Sequence, residues 1–135
     1  MAQFSGGCLC GNVRYSVDAE PAFTGVCHCR DCQKFTGSAF AVVIGVPKSA
    51  FAIIGNVTSY SKPGDSGQPI ARMFCPECGS SIADEASALP GIVMISAGTL
   101  DNPDAVKPAM QIYCDSAQPW VKLQGDMQSF GKMPG

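Results

Sequence analysis

Seven of the eight cysteines in this 135-residue chain fall into three tight clusters: Cys8-Leu9-Cys10, Cys27-His28-Cys29-Arg30-Asp31-Cys32 and Cys75-Pro76-Glu77-Cys78-Gly79. Cysteines in Cys-x-Cys or Cys-x-x-Cys spacing can aim their sulfurs at one ion about 2.3 Å away, the ordinary zinc–thiolate distance. Seven divides into four and three. A structural zinc site is closed by four protein ligands, whereas a catalytic one keeps three and leaves a position for water or substrate. The arithmetic predicts two Zn²⁺ ions, one that holds the fold and one that can meet a ligand and is partly occupied.

Disulfides are the competing reading, because eight is an even number and short chains use staples. The opening Met1-Ala2-Gln3-Phe4-Ser5-Gly6-Gly7 has neither the basic nor the apolar run of a secretory signal, so a cytoplasmic, reducing setting is expected. Reduced thiols in close pairs bind metal. Thioredoxin-like use of Cys29/Cys32 or Cys75/Cys78 would normally accompany a βαβ pattern, and none is evident.

Any four-ligand site must join distant parts of the chain, since Cys75 follows both earlier clusters at long range. Cys75-Pro76-Glu77-Cys78-Gly79 reads as a knuckle turn in which Gly79 takes positive φ and backbone amides point at sulfur. Its complement is the two-cysteine cluster Cys8/Cys10. Cys27, Cys29 and Cys32 then remain as a set with an incomplete coordination sphere.

Charged residues make up 15% of the chain and the net charge is −2, which argues against a nucleic-acid partner. No apolar run approaches the ~20 residues of a membrane span. Glycine and proline recur throughout, and apolar residues come in short runs, so the chain reads as one mainly β domain over residues 1–135. Expected strands are Val13–Val17, Phe23–Val26, Phe40–Val46, Thr58–Tyr60, Ile70–Phe74, Ser81–Ala83, Ile92–Ala97 and Met110–Tyr113. One short helix is expected over Arg30–Phe35, stopped by Gly37, which turns Cys29 and Cys32 to one side.

The segments Gly7-Cys8-Leu9-Cys10-Gly11-Asn12-Val13-Arg14-Tyr15 and His28-Cys29-Arg30-Asp31-Cys32-Gln33-Lys34-Phe35-Thr36-Gly37-Ser38-Ala39-Phe40 carry a resemblance. Phe74-Cys75-Pro76-Glu77-Cys78-Gly79-Ser80, Ala97-Gly98-Thr99-Leu100-Asp101 and Gln118-Pro119-Trp120 extend it over essentially the whole chain. The sequence resembles the glutathione-dependent formaldehyde-activating family, which includes centromere protein V-like domains. The resemblance implies a compact, zinc-stapled β-tent fold, a structural zinc on Cys8, Cys10, Cys75 and Cys78, and a second zinc on Cys27, Cys29 and Cys32. It also implies a carbon–sulfur lyase-type activity in which glutathione, as cosubstrate, adds to formaldehyde to give S-hydroxymethylglutathione. Two departures stand out: Gln111 takes a place where the family often has histidine, and Cys114 is not a family metal ligand.

A thiolate is the nucleophile an aldehyde carbon needs, and coordination to zinc deprotonates a thiol. A small-molecule thiol and an aldehyde are therefore the expected partners. The other expected classes are a non-enzymatic zinc module for a protein partner or metal buffering, and a thiol redox sensor. His28 alternates with its cysteine neighbours, so it should point away from the metal, at the rim or in proton transfer. Gln33, Thr36 and Ser38 are candidate hydrogen-bonding contacts to glutathione, and Arg30, Lys34 and Lys48 candidate partners for its carboxylates. Trp120, Phe40, Phe51 and Phe74 are expected in the core, and Cys114 as a small buried residue in a strand.

Overall fold

The run Ala41-Val42-Val43-Ile44-Gly45-Val46 is apolar at both odd and even positions, the pattern of a strand buried on both faces. In the computed structural model, which describes residues 3–123 and 125–134, it forms the middle of the larger of two sheets. The strands are β1 (Phe4–Gly7), β2 (Arg14–Val17), β3 (Phe23–Cys27), β4 (Ala41–Pro47), β5 (Phe51–Ile54), β6 (Thr58–Pro63), β7 (Pro69–Phe74), β8 (Ser81–Ala86), β9 (Ile92–Ser96), β10 (Met110–Ile112) and β11 (Gln128–Ser129). A single α-helix among the described residues, α1 (Arg30–Thr36), follows β3. The mainly β architecture is the one expected.

Three strands pair in the order β1-β2-β5, and eight in the order β11-β10-β3-β4-β9-β8-β7-β6. Pairing is antiparallel except around β10, which runs parallel to both β3 and β11. The two faces of the large sheet have different fates. Ile44 and Val46 of β4, Val93 and Ile95 of β9, and Ala83 of β8 face the small sheet and pack with Phe4, Val13, Tyr15 and Val17 into the main core. Ala41 and Val43, with Phe23, Cys27 and Met94, form a second cluster on the opposite face. Strand alternation produces this division, because neighbours along a strand point to opposite sides.

Three strands lay outside the expected set. β1 (Phe4-Ser5-Gly6-Gly7) lacks the β-branched residues that signal a strand, yet Gly6 is there for close approach. A Cβ at Gly6 would stand 2.3 Å from both the Thr99 carbonyl oxygen and the Tyr15 hydroxyl. β5 (Phe51-Ala52-Ile53-Ile54) half-buries alternate residues and leaves the others exposed. β11 is two residues long. Trp120 is 71% exposed, which corrects its expected place in the core, and Phe40 and Phe74 are only half-buried. Cys114 lies in a 3-10 turn (Cys114–Ser116) and not in a strand, because β10 ends at Ile112 where Tyr113 adopts a left-handed φ of 55°.

Candidate metal centres

Four sulfurs about 2.3 Å from one tetrahedral ion stand about 3.8 Å from each other. The Sγ atoms of Cys8 and Cys10 are 3.5 Å apart and those of Cys10 and Cys75 are 3.7 Å apart. Cys78 completes the group, with all four sulfurs within 4.8 Å of one another. These separations are too long for the ~2.05 Å bond of a disulfide and fit a chelated ion. The residues suit a closed four-thiolate metal site.

The loops that deliver these sulfurs are held by their own backbone. Cys8 N–H donates to the Val13 carbonyl at 3.0 Å, and Val13 N–H donates to Cys8 Sγ at 3.2 Å. On the other side Gly79, at φ 78°, closes the knuckle by donating to the Cys75 carbonyl at 2.8 Å. Positive φ without a Cβ penalty is what glycine supplies there. Ser80 Oγ joins the two loops, lying 3.2 Å from Cys78 Sγ and accepting from Leu9 N–H at 3.0 Å. The Ser80 hydroxyl and backbone N–H hold the Cys78 thiol down at about 5, so it is a ready thiolate.

Cys27, Cys29 and Cys32 form the second group, again with all sulfurs within 4.8 Å of one another. Cys27 ends β3, Cys29 is the N-cap of α1, and Cys32 sits in the helix's first turn. The cap is chemical as well as positional: Cys29 Sγ accepts from Cys32 N–H at 3.3 Å. Gly37, at φ 68°, caps the other end and donates to the Gln33 carbonyl at 2.8 Å. Hydrogen bonds from Cys27 and Cys32 pull the Cys29 thiol down to about 2, while the contact with Cys29 pushes Cys27 up to about 12 and those with Cys27 and Cys29 push Cys32 further up. Cys29 is therefore the thiol that ionises first. Three convergent sulfurs suit a metal ion with one position open.

His28 is not among the converging donors. Its ring is 1% exposed, which corrects the expected rim position. It packs edge-on to Phe40, and Nε2 lies 2.9 Å from Gln111 Oε1. Gln111 thus holds the only histidine, and its own Nε2 donates to Ser129 Oγ at 3.0 Å.

Gln33 is a buried junction of the loops around α1. Its Nε2 donates to the His28 carbonyl at 2.6 Å and the Ser116 carbonyl at 3.1 Å. Its Oε1 accepts from Gln118 Nε2 at 2.7 Å and from the Arg30 guanidinium. With both ends used inside the protein, buried Gln33 acts as a structural partner, contrary to its expected place as a ligand contact, while Arg30 is exposed and spends one N–H on Gln33. Lys48 pairs with Glu85 at 3.0 Å beside a separate cleft of about 310 Å³, whose lining includes none of the clustered thiols. Lys34, Thr36 and Ser38 do come together. With Phe40, Ser80 and Thr99 they line a groove of about 610 Å³ between the C-terminal end of α1 and the knuckle of the four-thiol site; the groove's lining likewise includes none of the clustered thiols. Thr36 Oγ1 also donates to the Cys32 carbonyl at 2.9 Å and accepts from Ser38 N–H at 3.2 Å.

Four polar residues near the three thiols were not foreseen. Tyr113 packs against the second cluster, and burial, with Asp65 as hydrogen-bond partner, pushes its hydroxyl up to about 12. Arg72 and Asp84, cross-strand partners in β7 and β8, are each 7% exposed, and the charge of each reaches Cys29. A charged residue on the inward parity of a strand was the available signal.

Among the described residues no helix is long and apolar enough to cross a membrane. A crystal structure of a Rhodobacter sphaeroides protein shares the fold, with a TM-score of 0.59 and 23% identity over 77% of this chain and 91% of that one. A protein of Emericella nidulans, provisionally named glutathione-dependent formaldehyde-activating enzyme, is 33% identical over 72 residues, 53% of this chain and 36% of its own length. One of Penicillium rubens with the same name is 31% identical over 81 residues, 56% of this chain and 42% of its own length. The matches thus span about two-fifths of those relatives. The family model described as glutathione-dependent formaldehyde-activating enzyme matches residues 3–116. With its cysteine sets assembled on this fold, the chain belongs to the glutathione-dependent formaldehyde-activating enzyme family.

Proposed function

We propose that the chain is a zinc-dependent carbon–sulfur lyase-type enzyme of the cytoplasm that acts on a thiol adduct, joining glutathione and formaldehyde as S-hydroxymethylglutathione and reversing that reaction. The observation that carries this reading is the pair of thiol sets, one of four and one of three. Soft thiolate donors in a tetrahedral arrangement favour zinc. Zinc held by Cys27, Cys29 and Cys32 would supply an open position at which an incoming thiol ionises.

The protein's own groups supply the rest. Lys34 lies at the groove with the hydroxyls of Thr36, Ser38 and Ser80, a set of donors suited to the carboxylates and amides of a peptide. The groove's volume of about 610 Å³ falls within the range of small-molecule sites. Gln33 fixes α1, and with it the spacing of Cys29 and Cys32. The dense thiolate charge favours thiol chemistry over activation of water.

Calorimetric titration of the metal-loaded protein with glutathione and S-methylglutathione tests this, together with NMR exchange measurements on the formaldehyde–glutathione adduct. Tighter binding of glutathione and accelerated exchange are expected. Equal binding of the two peptides with unaccelerated exchange would favour a non-catalytic zinc module. A reversible Cys29–Cys32 disulfide under mild oxidation, without either effect, would favour a redox sensor.

A further inference from the structure

Register across the large sheet places Tyr60, Arg72, Asp84, Met94, Gly45 and Phe23 in one row from β6 to β3. Directly paired residues share a face, so Arg72 and Asp84 look to the same side as Phe23, Met94 and Cys27, the side of the second cluster. Helix α1 crosses this side. Its start is tied to β6 by Lys62 and Asp31 at 2.8 Å, and its end to β8 by Ser81 Oγ, which donates to the Phe35 carbonyl at 2.8 Å. Along the strands the Arg72–Asp84 pair lies between the rows that make those two ties, Lys62 with Ile70 and Phe74 with Ser81.

A guanidinium this deep is costly unless its donors are met. Arg72 Nε is buried and has no hydrogen-bond partner. Nor is Arg72 used up by Asp84. Among the described residues no ion pair or side-chain hydrogen bond joins the two. The ties at Asp31 and Phe35 bracket Cys32 in the helix, which brings the thiol set to the side of the sheet on which Arg72 lies. Three thiolates around a divalent ion leave one negative charge in excess, which a nearby buried cation offsets.

We infer that Arg72, opposite Asp84 in the β7–β8 pair, is the anion-binding residue of the three-thiol site and takes an anionic oxygen of the thiol compound bound there. A guanidinium presents a planar fork of N–H donors that matches such an oxygen. That oxygen has two possible sources. It is either a carboxylate of the thiol itself or the oxygen that becomes negative on adduct formation. In the second case the sulfur electron pair forms the C–S bond, the C=O π pair moves onto oxygen, and the proton released by the thiol is returned to that oxygen. The inference deepens the proposed function and rests on it only in placing the ligand's sulfur at the thiol set.

The test uses the metal-loaded full chain and two small thiols of similar size, mercaptoacetate and 2-mercaptoethanol. A carboxylate contact gives wild-type protein a preference for mercaptoacetate of tenfold or more by calorimetry, which Arg72→Met abolishes and Arg72→Lys reduces. An adduct-oxygen contact leaves the two thiols bound alike. It instead makes adduct formation between 2-mercaptoethanol and formaldehyde at least tenfold slower in kcat for Arg72→Met, with metal content unchanged. Arg72→Lys keeps the charge without the fork and serves where Arg72→Met does not fold. Variants that match wild type in both preference and rate would overturn the inference, as would wild-type protein showing neither effect. Should glutathione–formaldehyde exchange prove unaccelerated while the mercaptoacetate preference depends on Arg72, the proposed reaction fails and the anion site stands.

Discussion

The Sγ atoms of Cys10 and Cys75 lie 3.7 Å apart although 65 positions separate them in the chain. An ion at that point closes a long loop and ties the turn after β1 to the turn after β7. Cys75 itself is fully buried. Cys75→Ser is therefore expected to abolish soluble folded protein, since a structural zinc contributes on the order of 10 kcal/mol in small domains. A folded Cys75→Ser protein that lacks the metal and melts as wild type does would refute the stapling role.

Cys29→Ser should behave differently. Serine is a good N-cap and can accept from Cys32 N–H as the sulfur does, so α1 should survive. The expected outcome is a folded protein with one metal ion fewer per chain and no thiol-dependent activity. Metal analysis beside a melting curve checks it, and loss of both metals would mean that the two thiol sets depend on each other.

Gln33 offers a test of structure against ligand contact. Gln33→Ala leaves the His28 and Ser116 carbonyls without their side-chain donor, and a loss of about 2–4 kcal/mol is expected. Denaturant titration measures it. A variant of unchanged stability with weakened glutathione binding would return Gln33 to the ligand.

Asp84 reverses the usual acid-denaturation sign. Burial raises its carboxyl from 3.8 to about 6, so the folded state binds this proton more tightly than the unfolded chain. Its contribution is fully present below about 3.8, is lost as pH rises through about 6, and amounts to about 3 kcal/mol. Asp84→Asn, which cannot ionise, should gain stability relative to wild type as pH rises from about 4 to about 7, compared at equal metal content. A difference between the two proteins that stays flat over that range would show that the carboxyl is not raised.

The division of the thiols was legible because spacing and number are properties of the chain itself, as was the helix, which runs one residue past the expected Phe35. Residues whose role depends on register were not. Nothing local in Ile70-Ala71-Arg72-Met73 says that Arg72 faces Asp84 across a strand pair and is buried there. His28 was misplaced because alternation correctly turned it from the thiols but not into a pocket made by Phe40 and the distant Gln111. Trp120 was misplaced because an aromatic ring is ordinarily worth burying, yet it falls on the irregular stretch between β10 and β11.

The large sheet keeps its two faces apart: the four-thiol staple belongs to the core on one side, and the three-thiol set to the cluster on the other. Cys27, Ala41, Val43 and Met94 belong to the second side, apart from the packing of Ile44, Val93 and Ile95. Descendants of such a chain are thus free to lose, retune or replace the reactive centre while inheriting the scaffold whole.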